Sequence, residues 1–373
     1  MTEPALLSAK RLVIKVGSAL LVDPVGLVRH SWITALAEDV ALLRSHGIEV
    51  ILVSSGAVAV GRTQLGLPDR ALTLEEKQAA AAIGQIQLAQ AYTVAFREHG
   101  IAIGQILLTL DDTEERRRHL NARATLNQLL RLGAVPVVNE NDTIATSEIR
   151  IGDNDRLGAR VAVMTAADTL VLLSDIDGLY TADPRQDPEA RHIPFVERLT
   201  PEIVAMGGKA PRGYSSGGME TKLVAARMAG EGGCRMAIAD GRKPHALAAL
   251  ADGARATWFA AVTEPVTARK RWIKAALDPR GRLRLDAGAV AALRRGKSLL
   301  PAGVTAAEGA FNRGDLLILL DQDGCEVARG LSSYRSEEAL RILGHRSSEI
   351  ERLLGYAGRK ELIHRDDMVL SGD

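Results

Sequence analysis

Asp153, Asn154 and Asp155 stand side by side in the run IRIGDNDRLGA (149–159). Neighbouring carboxylates repel when both are charged, so such a cluster is offered to a cation, a lysine or a polar substrate. Two lysines elsewhere suit it. Lys15 ends the apolar run of LVIKVGS, and Lys222 ends the glycine-rich SSGGMETK (215–222). Two lysines, a carboxylate cluster and glycine turns are the groups needed to move a phosphoryl group, where catalysis is positioning plus charge neutralisation.

Each group also has a plainer reading. Burying an unpaired ammonium is costly, so Lys15 either snorkels to the domain edge or stands as a point charge over phosphoryl oxygens. Gly17 beside it lets such oxygens approach the backbone. Lys222 falls in the first turns of a helix opened by the SSGG stretch, where amides gather anions. The motif is not the GxxxxGK[ST] loop, which excludes a Walker ATPase. Helix capping explains one of Asp153, Asn154 and Asp155 but hardly all three. We assign Asp155 to orienting the lysines, Asp153 to the metal–phosphate end, and Asn154 with Asp142 to a small polar substrate. Ser55, in SSGA, fits a carboxylate-binding turn. Ser174 and Asp175, just past a strand, fit nucleotide contacts, although DIDGLY (175–180) also reads as a plain turn. The eight histidines form no metal spacing or triad; His119 and His192 stay open as phosphate contacts.

These groups need a scaffold that gathers them. The 373 residues suggest two domains. The composition, 46% hydrophobic and 25% charged, is that of a soluble globular protein, and with 3% aromatics the core must be aliphatic. Strands are expected at 11–16, 48–61, 101–109, 134–142, 169–175 and 235–240. Helices are expected at 28–46, 74–99, up to 132, at 155–166 and from Met219. Such alternation means an α/β domain with a mostly parallel sheet. Its polar residues follow the strands, where open α/β sheets bind ligands. Cys234 and Cys325 are far apart and read as reduced thiols. No apolar run reaches spanning length and no signal peptide is evident, so a cytoplasmic place is expected, with no membrane partner.

From Ala268 to Leu300 ten basic residues face two acidic ones. Beyond lie short alternating runs separated by glycine, as in a small β-barrel-like domain. We expect a catalytic domain at 1–267, the small domain at 275–360 and a polar tail at 361–373. RNA binding through the basic stretch is the secondary reading. Apart from Trp272 it lacks the aromatic platforms that single strands stack on, so RNA is not expected as a partner.

KVGSALL (15–21), VSSGAVAVG (53–61), VVNENDTI (137–144), IGDND (151–155), LLSDIDGLY (172–180) and SSGGMETK (215–222) resemble the motifs of the amino acid kinase family. Ile151 stands where Phe is common, and Ser215-Ser216-Gly217 where Gly-Thr-Gly is common. Residues 281–304 and 308–315 look like a PUA domain. The resemblance implies a three-layer α/β/α sandwich. It implies that L-glutamate is phosphorylated on its side-chain carboxylate by ATP with Mg²⁺, opening proline biosynthesis. It places Lys15 and Lys222 on the phosphoryl group and Ser55, Asp142 and Asn154 on glutamate. ATP falls to Lys15, Ser174, Asp175, Ser216, Gly217, Gly218, Met219, Glu220, Thr221 and Lys222. No protein ligand is implied for the metal, which the ATP phosphates hold. Proline as feedback inhibitor, a dimer or tetramer, and coupling to glutamyl 5-phosphate reductase are implied as well. The competing reading is a kinase of another amino-acid carboxylate or of a nucleoside monophosphate. The glutamate carboxylate is already ionised at neutral pH, so the want of a histidine or cysteine nucleophile fits.

Overall fold

The structure, a computed structural model, describes residues 6–144, 154–208, 218–263 and 279–371. The chain divides into two units, Met1–Pro265 and Val266–Asp373.

In the first unit, β1 (Arg11–Val16), α1 (Ser18–Leu21), α2 (His30–Ser45), β2 (Glu49–Val53), α3 (Ala57–Gln64) and α4 (Leu74–Arg97) come first. Then follow β3 (Ile103–Leu108), α5 (Leu110–Glu114), α6 (Arg116–Arg131), β4 (Val135–Glu140), α7 (Asn154–Thr165) and β5 (Thr169–Ser174). A hairpin of β6 (Leu179–Tyr180) and β7 (His192–Ile193) leads to β8 (Phe195–Val196) and α8 (Pro201–Ala205). The unit closes with α9 (Met219–Glu231), β9 (Arg235–Asp240), α10 (Ala246–Ala251) and β10 (Ala256–Phe259). The strands form one eight-stranded sheet in the order β3-β4-β2-β1-β5-β9-β10-β8. Its pairs are parallel except β9 with β10.

Alternation along the strands makes three layers. Leu12, Ile14 and Val16 of β1 enter a core with α2, α4 and α10. Val13 faces the opposite core, with α6, α7 and α9, and by the same alternation so does Lys15. The registers Lys15↔Val53, Lys15↔Leu172 and Val53↔Val138 set the carboxyl ends of β1, β2, β4 and β5 side by side. The loops after them therefore open on one edge.

Two stretches differ from the sequence reading. Residues 57–61, read as the end of a strand, belong to α3. Its small residues let it lie against α4 at backbone distance, since a Cβ on Gly61 would sit 1.8 Å from the Ala80 carbonyl oxygen. The charged helix before Leu132 is two helices. Glu115, in an extended conformation, breaks it and caps α6 by accepting from the Arg117 and Arg118 amides.

The second unit is small and β-rich. It contains β11 (Gly281–Leu285), α11 (Ala287–Arg294), β12 (Val304–Glu308), β13 (Leu316–Leu320), β14 (Glu326–Leu331), α12 (Ser336–Ile342), α13 (Ile350–Leu354) and β15 (Met368–Leu370). The sheet order is β12-β11-β13-β14-β15, over a core that includes Leu283, Leu317, Leu319 and Tyr334. The tail expected at 361–373 needs correction. Leu362 and Ile363 are fully buried in this core, and β15 pairs with β14, so the segment through Leu370 completes the sheet. Of the basic stretch, Arg280, Arg282, Arg284, Arg294, Arg295 and Lys297 are exposed; Arg269, Lys270, Arg271 and Lys274 lie outside the described residues.

Candidate active site

Lys15 is the last residue but one of β1 and is buried to 8% exposure. Glycine at 158 makes room for it, because a Cβ there would stand 3.3 Å from the Lys15 Cβ. Its Nζ lies 2.7 Å from Asp155 Oδ1, in the first turn of α7. Lys222 comes from the first turn of α9, and its Nζ lies 3.3 Å from Asp155 Oδ2. Thr221 donates its hydroxyl to the same oxygen at 2.8 Å. Burial alone would lift the Asp155 carboxyl. The charges of Lys15 and then Lys222, with hydrogen bonds from Lys15 and Thr221, outweigh it and hold the group down at about 2. One carboxylate thus gathers two ammoniums, leaving an excess positive charge in a low-dielectric place.

Asn154, one residue earlier, is fixed by its amide nitrogen. It donates to the Ser54 carbonyl at 3.0 Å, to Ser55 Oγ at 2.9 Å and to Asn139 Oδ1 at 3.3 Å. Asn139 in turn donates to Gln85 Oε1 at 2.7 Å. Asn154 Oδ1 is buried with no hydrogen-bond partner among the described residues, an acceptor held ready for a donor. Asp142, after β4, is nearly buried. Burial first, and then the neighbouring charge of Glu140, push its carboxyl up to about 7. Ser55 precedes Gly56, whose φ of +91° and approach to Val22 (2.9 Å from an added Cβ) exclude other residues at the start of α3.

These groups share a cavity of about 1200 Å³ whose wall includes Lys15, Ser55, Asp142, Asn154, Ser174, Asp175 and Lys222. Ser174 donates its hydroxyl to Asp175 at 3.1 Å. Gly218 caps α9, Met219 packs against the core beside it, and Glu220 is exposed. Asp153, Ser216 and Gly217 lie outside the described residues. Beyond Asp175 the DIDGLY segment is structural: the Tyr180 hydroxyl donates to Asp177 at 2.8 Å, and Leu179–Tyr180 pairs with β7. His119, on α6, and His192, on β7, are not in the cavity wall. Sequence reasoning passed over Arg29, Arg62, Arg70 and Lys77, which are in the wall, and Gln85, which orients Asn139. Asn139 stands inside the NENDT motif and was legible there. Gln85 sits in an Ala- and Gln-rich helix where nothing local marks it.

Both Asp155 oxygens face lysines or Thr221, and no group of three acidic, histidine or cysteine side chains poised for a metal occurs among the described residues.

Known proteins share this arrangement of segments. The Amino acid kinase family matches residues 10–240, and the PUA domain matches residues 281–354. The chain is 60% identical over 367 residues to a glutamate 5-kinase of Paracoccus denitrificans (strain Pd 1222), covering 98% of this chain and 99% of that one. It is 60% identical over 368 residues to a glutamate 5-kinase of Gluconobacter oxydans (strain 621H), with 98% and 97% covered. Against a glutamate 5-kinase of Agrobacterium fabrum (strain C58 / ATCC 33970) it is 57% identical over 372 residues, with 100% and 96% covered. The family match spans both lysine-bearing segments and the Asn154–Asp155 turn between them, and the relatives align from end to end: the chain belongs to the amino acid kinase family.

Proposed function

We infer that this chain transfers the γ-phosphoryl group of ATP to the side-chain carboxylate of L-glutamate, giving L-glutamyl 5-phosphate and ADP, the first step of proline biosynthesis. The observation that carries the reading is the convergence of Lys15 and Lys222 on Asp155, beside Asn154 and Ser55 in one cavity. A γ-carboxylate oxygen attacks the γ-phosphorus, the bond to the β-phosphate oxygen breaks, and ADP departs. The nucleophile is already an anion, so the protein supplies alignment and charge. Lys15 and Lys222 neutralise the transferring oxygens, and Asp155 keeps both ammoniums aimed. Mg²⁺, held by the ATP phosphates, would add charge neutralisation there. Ser174, Asp175 and residues 216–222 take the nucleotide, and Asp153 serves the metal–phosphate end. Ser55, Asp142 and Asn154 take glutamate.

The acceptors also bear on the choice of amino acid. Asn154 Oδ1 and the Asp142 carboxylate suit a free α-ammonium, which N-acetylglutamate lacks. Trapping with hydroxylamine in the presence of MgATP tests the reading. L-glutamate should give the hydroxamate, and aspartate and N-acetylglutamate little. Highest turnover with N-acetylglutamate overturns it.

Residues 1–267 carry every group assigned here, as a cytoplasmic catalytic unit. Among the described residues no helix is long and apolar enough to cross a membrane. Inhibition by L-proline, a homo-oligomeric state and hand-off of the labile acyl phosphate to glutamyl 5-phosphate reductase extend the same reading. Proline titration of the glutamate-dependent rate, sedimentation and coupled turnover test them in turn; a rate insensitive to proline removes the first.

A further inference from the structure

Four basic side chains besides Lys15 and Lys222 belong to the cavity wall: Arg29, Arg62, Arg70 and Lys77. Arg62 and Arg70 are engaged by the protein. Arg62 donates to Asp69 at 3.1 Å and to the Arg70 carbonyl at 3.1 Å. Arg70 forks onto Glu76 at 2.8 and 2.6 Å. Arg29 is different. It immediately precedes α2, its Nε is buried, and that nitrogen has no hydrogen-bond partner among the described residues. The acid nearest in sequence, Asp23, is also in the cavity wall, but its Oδ1 accepts from the Val25 and Leu27 amides at 3.0 and 2.8 Å, closing its own loop. A partly buried guanidinium with an unfilled donor is costly unless an anion completes it.

The 22–29 loop is anchored beside the amino-acid end of the site. Val22 meets Gly56, next to Ser55, and Gly26 packs on Thr63 of α3. The Thr63 hydroxyl donates to the Val25 carbonyl at 3.3 Å. On the reading above, L-glutamate brings three charged groups to the cavity. The γ-carboxylate goes to the lysines, and the ammonium goes to Asn154 Oδ1 and Asp142. The α-carboxylate still needs a cation.

We propose that Arg29 binds the α-carboxylate of the amino-acid substrate and sets the preference for an α-amino diacid. This rests on the glutamate reading. A planar fork of donors suits a carboxylate better than a lysine would.

The probe is 4-aminobutyrate, which is glutamate without its α-carboxylate and keeps both the ammonium and the reacting carboxylate. Arg29→Met, Arg29→Lys and the unaltered protein are compared by hydroxamate formation with both substrates, by the KM for ATP and by thermal melting. In Arg29→Met, kcat/KM for L-glutamate should fall about tenfold to a hundredfold, the size of one charge-assisted hydrogen bond. The rate with 4-aminobutyrate and the KM for ATP should stay within about twofold of the parent. Arg29→Lys, which keeps charge and most of the packing, should restore part of the glutamate preference. Equal loss with both substrates would mean a structural role, and a KM for ATP rising as far as that for glutamate would mean a phosphate contact; either overturns the proposal. If Arg29→Met melts early, the same ratios in Arg29→Lys decide, because a loss confined to glutamate supports the proposal and a uniform loss rejects it. Absence of glutamate hydroxamate in the unaltered protein would instead reject the underlying function.

Discussion

Lys15 and Lys222, one on a central strand and one on a helix 207 positions later, point their ammoniums at the two oxygens of a single carboxylate, at 2.7 and 3.3 Å from Asp155. Neither lysine is more than a tenth exposed, so that carboxylate is the counter-charge of both.

The lysines are therefore expected to act on the chemical step. Lys15→Ala and Lys222→Ala should each lower kcat by about two orders of magnitude or more, because each removes a charge that counts most in the transition state. The KM for glutamate should move less. Steady-state rates on folded variants check this, and an alanine variant keeping half the turnover removes that lysine from the mechanism.

Asn154 and Asp155 are adjacent yet should fail differently. Asn154→Ala loses the unpartnered acceptor proposed for the substrate and should mainly raise the KM for glutamate. Asp155→Ala leaves two buried ammoniums without their counter-charge and should mainly lower kcat, with a loss of thermal stability. The opposite split of KM and kcat would exchange the two roles.

Asp142 gives the site a pH dependence. Its carboxyl is lifted from an ordinary 3.8 to about 7. A lifted acid binds its proton more tightly in the folded chain than in the unfolded one. Stability from this group therefore falls as pH rises through that window. Asp142→Asn, which never ionises, should raise Tm more at pH 8 than at pH 5. Function runs the other way, since the substrate ammonium prefers the ionised acid. The KM for glutamate should fall between pH 6 and pH 8 in the unaltered protein and stay high and flat in Asp142→Asn. A flat profile in the unaltered protein would sever Asp142 from the substrate ammonium.

Gly84 couples packing to the site. A methyl at this position would lie 1.9 Å from the Ala57 carbonyl oxygen and 2.7 Å from the Gly61 nitrogen. Gly84→Ala must push α3 off α4, at a cost of about 2 kcal/mol. Because α3 begins just after Ser55, the KM for glutamate should rise as well. Denaturant midpoints and KM check this together. An unshifted midpoint would show that the two helices tolerate separation.

The sequence by itself determined the local features. Aliphatic runs of strand length bounded by glycine or polar residues marked β1, β4, β5 and β9. The glycine–serine turns, the two lysines and the Asn154–Asp155 pair marked chemistry, because charged groups beside apolar strands need a reason. It did not mark α3, whose small residues look like a strand running into a turn until α4 is laid against them. Nor did it mark β15, a short stretch that becomes a strand only when β14 supplies its partner. The tertiary structure decided which groups meet. Asp155 faces Lys15 because strand alternation turns Lys15 toward α7, and Gly158 leaves the space. Gln85 fixes Asn139, which in turn holds Asn154. Arg29 is proposed as a binding group because its buried Nε has no partner among the described residues, while Oδ1 of Asp23, six positions earlier, accepts from its own loop. Spacing along the chain carries propensity and pattern. The pairing of buried charges depends on which faces the sheet brings together, and that is a property of the whole fold.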